Sequence, residues 1–180
     1  KPFSFVDDRV FHGNSLLGVT TEEQLKAQHI CPERRHGREQ LLWHDVDKDL
    51  DDAARIRREL ASGQVDDADR MRSTKAKQAL LAQSARVTAK LRDVADGIIA
   101  AGLLEGGKPG KKLDDRYDDL ADALRAAYPT DGTAADRTQL DAIIDAGLTP
   151  TVDTGEARWK PLHWILEAPD VIHTRGGFDA

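Results

Sequence analysis

A mainly α fold is predicted, a long helical hairpin plus two further helices with short extended terminal arms, and three observations predict it. Charged residues make up 32% of the 180 positions and aromatics 5%, a balance typical of amphipathic helices rather than of β-sandwiches. Leu80, Ser84, Val87, Leu91, Val94 and Ile98 alternate in steps of four and three, the stripe of a helix packing along a partner. Glycine and proline at Ser62-Gly63, Gly106-Gly107, Pro129 and Pro150 divide the middle of the chain into segments of helical length.

Taken in order, Val10-Phe11-His12 is a short β-prone stretch halted by Gly13-Asn14, a strand end followed by a loop. Thr20 or Thr21 can cap a short helix opening on Glu22-Glu23, whose carboxylates suit the positive helix end, and Pro32 ends that segment. Leu50, Ala53, Ala54, Ile56 and Leu60 give the next helix an apolar face, up to the break at Ser62-Gly63. The striped helix then runs from near Val65 to near Ala101, about 37 residues or roughly 55 Å, and is expected to project. Its stripe suits its own hairpin partner or a second molecule. Leu113, Tyr117, Leu120 and Leu124 define a third helix after the flexible Gly106–Lys112 turn, stopped by Pro129. A fourth begins near Thr133, turns Leu140, Ile143 and Ile144 inward, and ends at Gly147 in the left-handed conformation. Residues 158–180, with Trp159, Pro161, Trp164, Pro169 and Gly176-Gly177, read as extended and looped.

A formal charge of −6 and a pI near 5.5 argue against the chain being a main phosphate-binding surface, which needs clustered Lys and Arg. The single cysteine, Cys31, excludes an internal disulfide. There is no signal peptide, and no apolar run approaches the ~18 residues that span a bilayer, so a cytoplasmic protein without membrane contact is expected.

His29, Cys31, His36 and His44 fall within sixteen residues, but one thiolate at irregular spacing matches no familiar zinc pattern. Asp45, Asp47, Asp49, Asp51 and Asp52 resemble a calcium loop in composition only; Leu50 takes a core position and no glycine or terminal glutamate falls correctly, so a solvated helix start is expected. Arg34, Arg35 and Arg38, with His36, form a compact basic cluster that suits either DNA phosphates or solvent. Trp159 and Trp164 suit burial where the helical part rejoins the remainder, or stacking on a base.

The two ends carry a resemblance. Pro2-Phe3-Ser4-Phe5-Val6-Asp7-Asp8-Arg9-Val10-Phe11-His12-Gly13-Asn14-Ser15-Leu16-Leu17-Gly18 resembles the segment that links a strand to a Gly-(Asn/Asp)-Ser-Leu-Leu-Gly loop in adenine-specific DNA methyltransferases of the fused restriction-modification and phage-defence kind, such as the phage growth limitation methyltransferases. Leu162-His163-Trp164-Ile165-Leu166-Glu167-Ala168-Pro169-Asp170-Val171 and Gly176-Gly177-Phe178-Asp179-Ala180 resemble the approach to that family's catalytic loop. About 40 of the 180 residues are covered, and the specificity lies in having both pieces in order around a variable insertion.

The resemblance implies methyl transfer from S-adenosylmethionine to the exocyclic amino group of an adenine turned out of duplex DNA, without a metal. It implies a division into residues 1–20, an arm of the methyltransferase core; 21–157, a helical insertion; and 158–180, a return toward an Asn-Pro-Pro-aromatic loop. Starting at Lys1 and stopping just after Gly176-Gly177, the chain reads as an internal segment, without that loop and without the Gly-rich cofactor turn, and is expected to be inactive alone. Asn14 matches the family position that hydrogen-bonds the cofactor's adenine, and an amide supplies the needed acceptor; the competing role, after Gly13, is a plain turn. The insertion would position DNA, a recognition domain or a protein partner. The competing reading is a non-enzymatic helical scaffold that binds another protein or itself.

Overall fold

In a computed structural model, residues 10–35, 46–61, 70–152, 155 and 157–178 are described, with side chains in the third helix from Thr74 onward. Eight α-helices follow one another among them: α1 Glu22–Ala27, α2 Val46–Ala61, α3 Arg70–Val87, α4 Ala89–Leu104, α5 Lys111–Ala127, α6 Thr138–Leu148, α7 Trp164–Glu167 and α8 Pro169–Arg175, with a 3-10 turn at Pro32–Arg35. The protein is mainly helical, as its composition and periodicity predict. No strand forms among the described residues; the expected strand end at Val10–His12 is absent, and an isolated parallel bridge joins Asn14 to Pro161.

Local chemistry sets the element ends. The Gln24 amide donates to Thr21 Oγ1 (3.3 Å) while Gln24 Oε1 accepts from the Thr20 and Thr21 amides (2.9 and 3.1 Å), a capping box that starts α1. Gln28, left-handed at φ 51°, ends it. The apolar face of α2 is buried at Leu50, Ala53, Ala54, Ile56 and Leu60, and that of α5 at Leu113, Tyr117, Leu120 and Leu124, as their spacing requires. Helix α6 begins at Thr138 rather than near Thr133: Asp131 ties the Thr133 amide and hydroxyl into a turn, and Asp136 accepts from the Thr138 amide (2.9 Å).

Three further expectations are corrected. The long helix is two helices, α3 and α4, parted at the buried Thr88, whose hydroxyl and amide both donate to the Ser84 carbonyl (3.1 and 3.0 Å); such back-bonding by threonine bends helices. Nor does its second half project. Leu91, Val94, Ala95, Ile98, Ala100 and Ala101 are buried as α4 packs between α5 and α6, while α2 packs on α3 and α8. The stripe is therefore used within the molecule.

Gly147 lies inside α6, which continues to Leu148 and ends at Thr149 with φ −87°. Its role is contact: a Cβ there would stand 2.3 Å from the Ala100 carbonyl oxygen and 2.5 Å from the Ala100 Cα, both main-chain atoms.

The third correction concerns residues 158–178, which are extended only to His163 and then form α7 and α8. Pro169 takes the first position of α8, where its missing N–H costs nothing, and Gly176 closes the helix at φ 79°. Four and seven residues are too few for a helical period to register in the sequence.

One apolar core draws on the whole described chain, from Val19 and Leu25 through Leu50, Ile98 and Leu124 to Ile165 and Leu166. No helix among the described residues is long and apolar enough to cross a membrane.

Adding a methyl at the α4–α6 crossing forces two backbones apart. Gly147→Ala is expected to destabilise the fold by about 1–3 kcal/mol, read as a lower urea midpoint; an unchanged midpoint would show that the crossing yields freely.

Candidate functional site

The loop bearing Asn14 and the segment after Trp159 lie side by side. The Asn14 amide donates to the Lys160 carbonyl (2.7 Å), and the Leu162 amide donates to the carbonyls of Leu17 (2.8 Å) and Asn14 (3.2 Å). Gly18 permits the approach, because a Cβ there would stand 2.0 Å from the Leu162 oxygen; Gly13 is tight as well, 3.0 Å from the Lys160 oxygen.

His163 ties this seam to the helical body. It is fully buried; its Nδ1 accepts from the Val19 amide (3.1 Å), so the proton sits on Nε2, which donates to Asp96 Oδ1 on α4 (3.0 Å). Nothing in the sequence singles this histidine out, since its partners lie 144 and 67 residues away. Trp159 is half-buried with its amide on the Leu148 carbonyl (2.7 Å), and Trp164 meets Phe11 and Phe178 edge-on. Both tryptophans sit where the segment joins the helices.

Asn14 is half-buried, and its Oδ1 accepts from the Leu16 amide at 3.0 Å, the turn role its place after glycine suggests. That bond engages one of the two acceptor positions of the carboxamide oxygen. Leu16, Leu17 and Gly18 continue into an apolar cleft of about 360 Å³, closed on the other side by Ile98, Leu103 and Tyr117. Leu16 is 92% exposed at its rim, and Leu103 and Leu104 are also exposed. Burial pushes the Tyr117 hydroxyl up to about 12, so it remains a donor, at 3.3 Å from the Ile98 carbonyl.

A second cleft, of about 230 Å³, lies between residues 10–12, α2, the Thr88 bend and α7. Its two guanidiniums are neutralised in place, Arg57 by Asp170 (2.9 Å) and Arg92 by Glu167 (2.7 Å).

The basic cluster is not assembled as a free patch. Arg34 grips Asp114 with two bonds (3.0 and 2.8 Å), and Arg35 donates to the Tyr117 carbonyl (2.7 Å) and pairs with Asp118 (3.2 Å), so both clamp the 3-10 turn onto α5. The Arg34 bonds hold the Asp114 carboxyl below its usual range. Arg38, His36 and His44 lie outside the described residues. His29 is 1% exposed with its ring 4.0 Å from that of Tyr117; Nδ1 accepts from the Cys31 amide (2.8 Å), and Nε2 has no hydrogen-bond partner, standing 3.6 Å from Asp114. Of the acidic run, Asp47 pairs with Lys26 and Asp52 with Lys48 and Arg55, all partly exposed, as a solvated helix start requires.

Compared with known protein families, with curated proteins and with solved structures, the chain has no match.

Burial, then the nearby Arg35 cation, holds the His29 imidazole below its ordinary 6.5, against an opposing pull from Asp114. The unfolded chain therefore binds a proton that the folded chain refuses: the stability from neutral His29 is complete above about 6.5 and is lost as pH falls below it. His29→Gln is expected to flatten the stability–pH curve between about pH 7.5 and 5.5 relative to wild type; parallel curves would disprove the assignment. Separately, His163→Leu leaves the Val19 amide and the Asp96 carboxylate unpaired, and a loss of at least about 1–3 kcal/mol is expected by denaturant titration.

Proposed function

We propose that this chain is part of a cytoplasmic, S-adenosylmethionine-dependent DNA adenine methyltransferase of the restriction-modification or phage-defence kind. Its helical body positions duplex DNA, a recognition domain or a partner protein, and it does not catalyse alone. One observation beyond the resemblance carries this reading: the two segments that bear the motifs, remote in sequence, are joined by the Asn14–Pro161 bridge and the Leu162–Leu17 hydrogen bond. A variable helical insertion must leave and re-enter its host at one place, and the adjacency of these two segments supports that reading.

Asn14 fits the cofactor role chemically. Its carboxamide oxygen keeps an acceptor position beyond the one given to the Leu16 amide, suited to an adenine amino group, and the turn that this bond makes holds the oxygen in place. The cofactor, when bound, supplies the methyl group that an extruded adenine takes; Asn14 orients and does not react.

Labelled methyl transfer to duplex DNA, measured with the complete protein that contains this chain, tests the proposal. Label is expected on adenine, with Asn14→Ala raising KM for S-adenosylmethionine about threefold to tenfold at little change in kcat, the worth of one hydrogen bond. Asn14→Asp, which keeps both acceptor roles, is expected to restore it. Absence of transfer to any duplex, host DNA included, would refute the proposal and favour the protein-binding scaffold, the reading to which exposed Leu16, Leu103 and Leu104 lend support.

A further inference from the structure

The formal charge of −6 conceals a segregation. The stretch Arg70–Arg92 holds seven Lys and Arg and no Asp or Glu, which leaves −13 on the remainder of the chain. Other exposed helices balance their charges internally: α2 pairs Lys48 with Asp52 and Arg55 with Asp52, and α5 pairs Arg125 with Asp122. Helix α3 has no carboxylate with which to do so.

None of its side chains from Thr74 to Val87 is buried, and Lys75 and Arg86, with Lys90 just beyond the Thr88 bend, are exposed. Lys75 and Arg86 are eleven residues apart, about three turns, and so share one side of the helix; Lys90 follows one turn later. Gln78, Ala79, Ala82 and Gln83, all exposed, lie along the helix between Lys75 and Arg86. These are short or neutral side chains that let a partner come near and, in the glutamines, supply hydrogen-bond donors. Elsewhere Arg34, Arg57, Arg116 and Arg137 are bound to carboxylates, while Lys108, Lys111 and Lys112, spread over the turn before α5, are exposed without an ion pair among the described residues. Lys75, Arg86 and Lys90 enter no ion pair among the described residues; Lys90 lies over the Tyr128 ring at 5.5 Å.

A row of exposed cations with no ion partner in the fold is left open to an anion from outside it. Its complement is a regular polyanion. From Lys75 to Lys90 the row runs roughly 22 Å at helical rise, alongside a duplex that carries one phosphate charge per ~1.7 Å of axis.

We infer that the exposed face of α3, continued by Lys90, is a docking surface for the phosphate backbone of duplex DNA. The choice of DNA over another polyanion rests on the methyltransferase reading; the position of the surface rests on charge and exposure alone. Because the contacts are to phosphate, the surface holds DNA without reading its sequence.

The test uses this chain and a fluorescent duplex of arbitrary sequence, with anisotropy followed from 50 to 200 mM salt. Wild type is compared with Lys75→Gln/Arg86→Gln/Lys90→Gln and with an equal charge change elsewhere, Lys108→Gln/Lys111→Gln/Lys112→Gln; circular dichroism and melting check that each variant is folded. The α3 variant is expected to bind at least about tenfold more weakly at the lowest salt, with the slope of log K against log salt reduced by about 3, while the control stays near wild type. Equal losses in both variants, or no salt-dependent binding by wild type, would overturn the inference. So would competition by a poly-glutamate peptide as strong as by unlabelled duplex, which would assign the face to acidic proteins instead. The same triple variant in the methyl-transfer assay separates the two proposals. DNA held through α3 with no methyl transfer by the complete protein sinks the methyltransferase reading alone, and transfer with an unchanged salt slope sinks the α3 surface alone.

Discussion

Two helix backbones can touch only where neither carries a bulky side chain, and α4 and α6 meet on those terms at Ala100 and Gly147. That approach sinks α4 into the middle of the molecule, where its other faces become foundations. Tyr117 of α5 reaches its backbone at Ile98, and Leu120 closes on Gly97. Asp96, on the partly open side, holds His163 and through it Val19. Trp159, bonded to the last residue of α6, enters the seam at a height that the crossing sets. The Asn14 turn and the apolar cleft beside it are thus placed by a contact between two small residues in a different part of the fold.

Features governed by near neighbours were legible in the sequence. A cap for α1 at Thr20 or Thr21 is readable from the residues beside it, the structure choosing Thr21 and adding Gln24, and the faces of α2 and α5 need only two or three turns of alternation. The turn made by Asn14 belongs to the same kind, with its acceptor and donor two residues apart. Gly147 was not legible, because a glycine near a helix end serves a left-handed cap and a tight crossing equally well, and only the opposing Ala100 decides between them. The stripe runs past Thr88 without a break, from Val87 to Leu91, so the bend shows only once the Thr88 hydroxyl is seen to reach Ser84. Arg34 and Arg35 look like a patch for phosphate until their carboxylates appear some eighty residues later on α5.

Charge is used here in two ways. Several guanidiniums act as braces, each laid across two elements: Arg34 from the 3-10 turn to α5, Arg57 from α2 to α8, Arg92 from α4 to α7. At partial exposure each such pair contributes little stability, commonly under about 1 kcal/mol, but it fixes how one element sits on the next. Lys75 and Arg86 of α3 enter no ion pair among the described residues, and total charge, which merges the two uses, hides the difference.

The seam also constrains the order in which the molecule is made. Val19 and His163 are separated by 144 residues, and a contact across so long a loop gains nothing until the intervening chain has been drawn together. During synthesis residues 10–20 emerge before the helices that follow them and wait, with Val19 uncovered, while every helix up to α6 is translated. The helical body is therefore assembled before its own entrance and exit are fastened, and a chain released short of His163 would leave the Val19 amide and Asp96 without the partner that joins them.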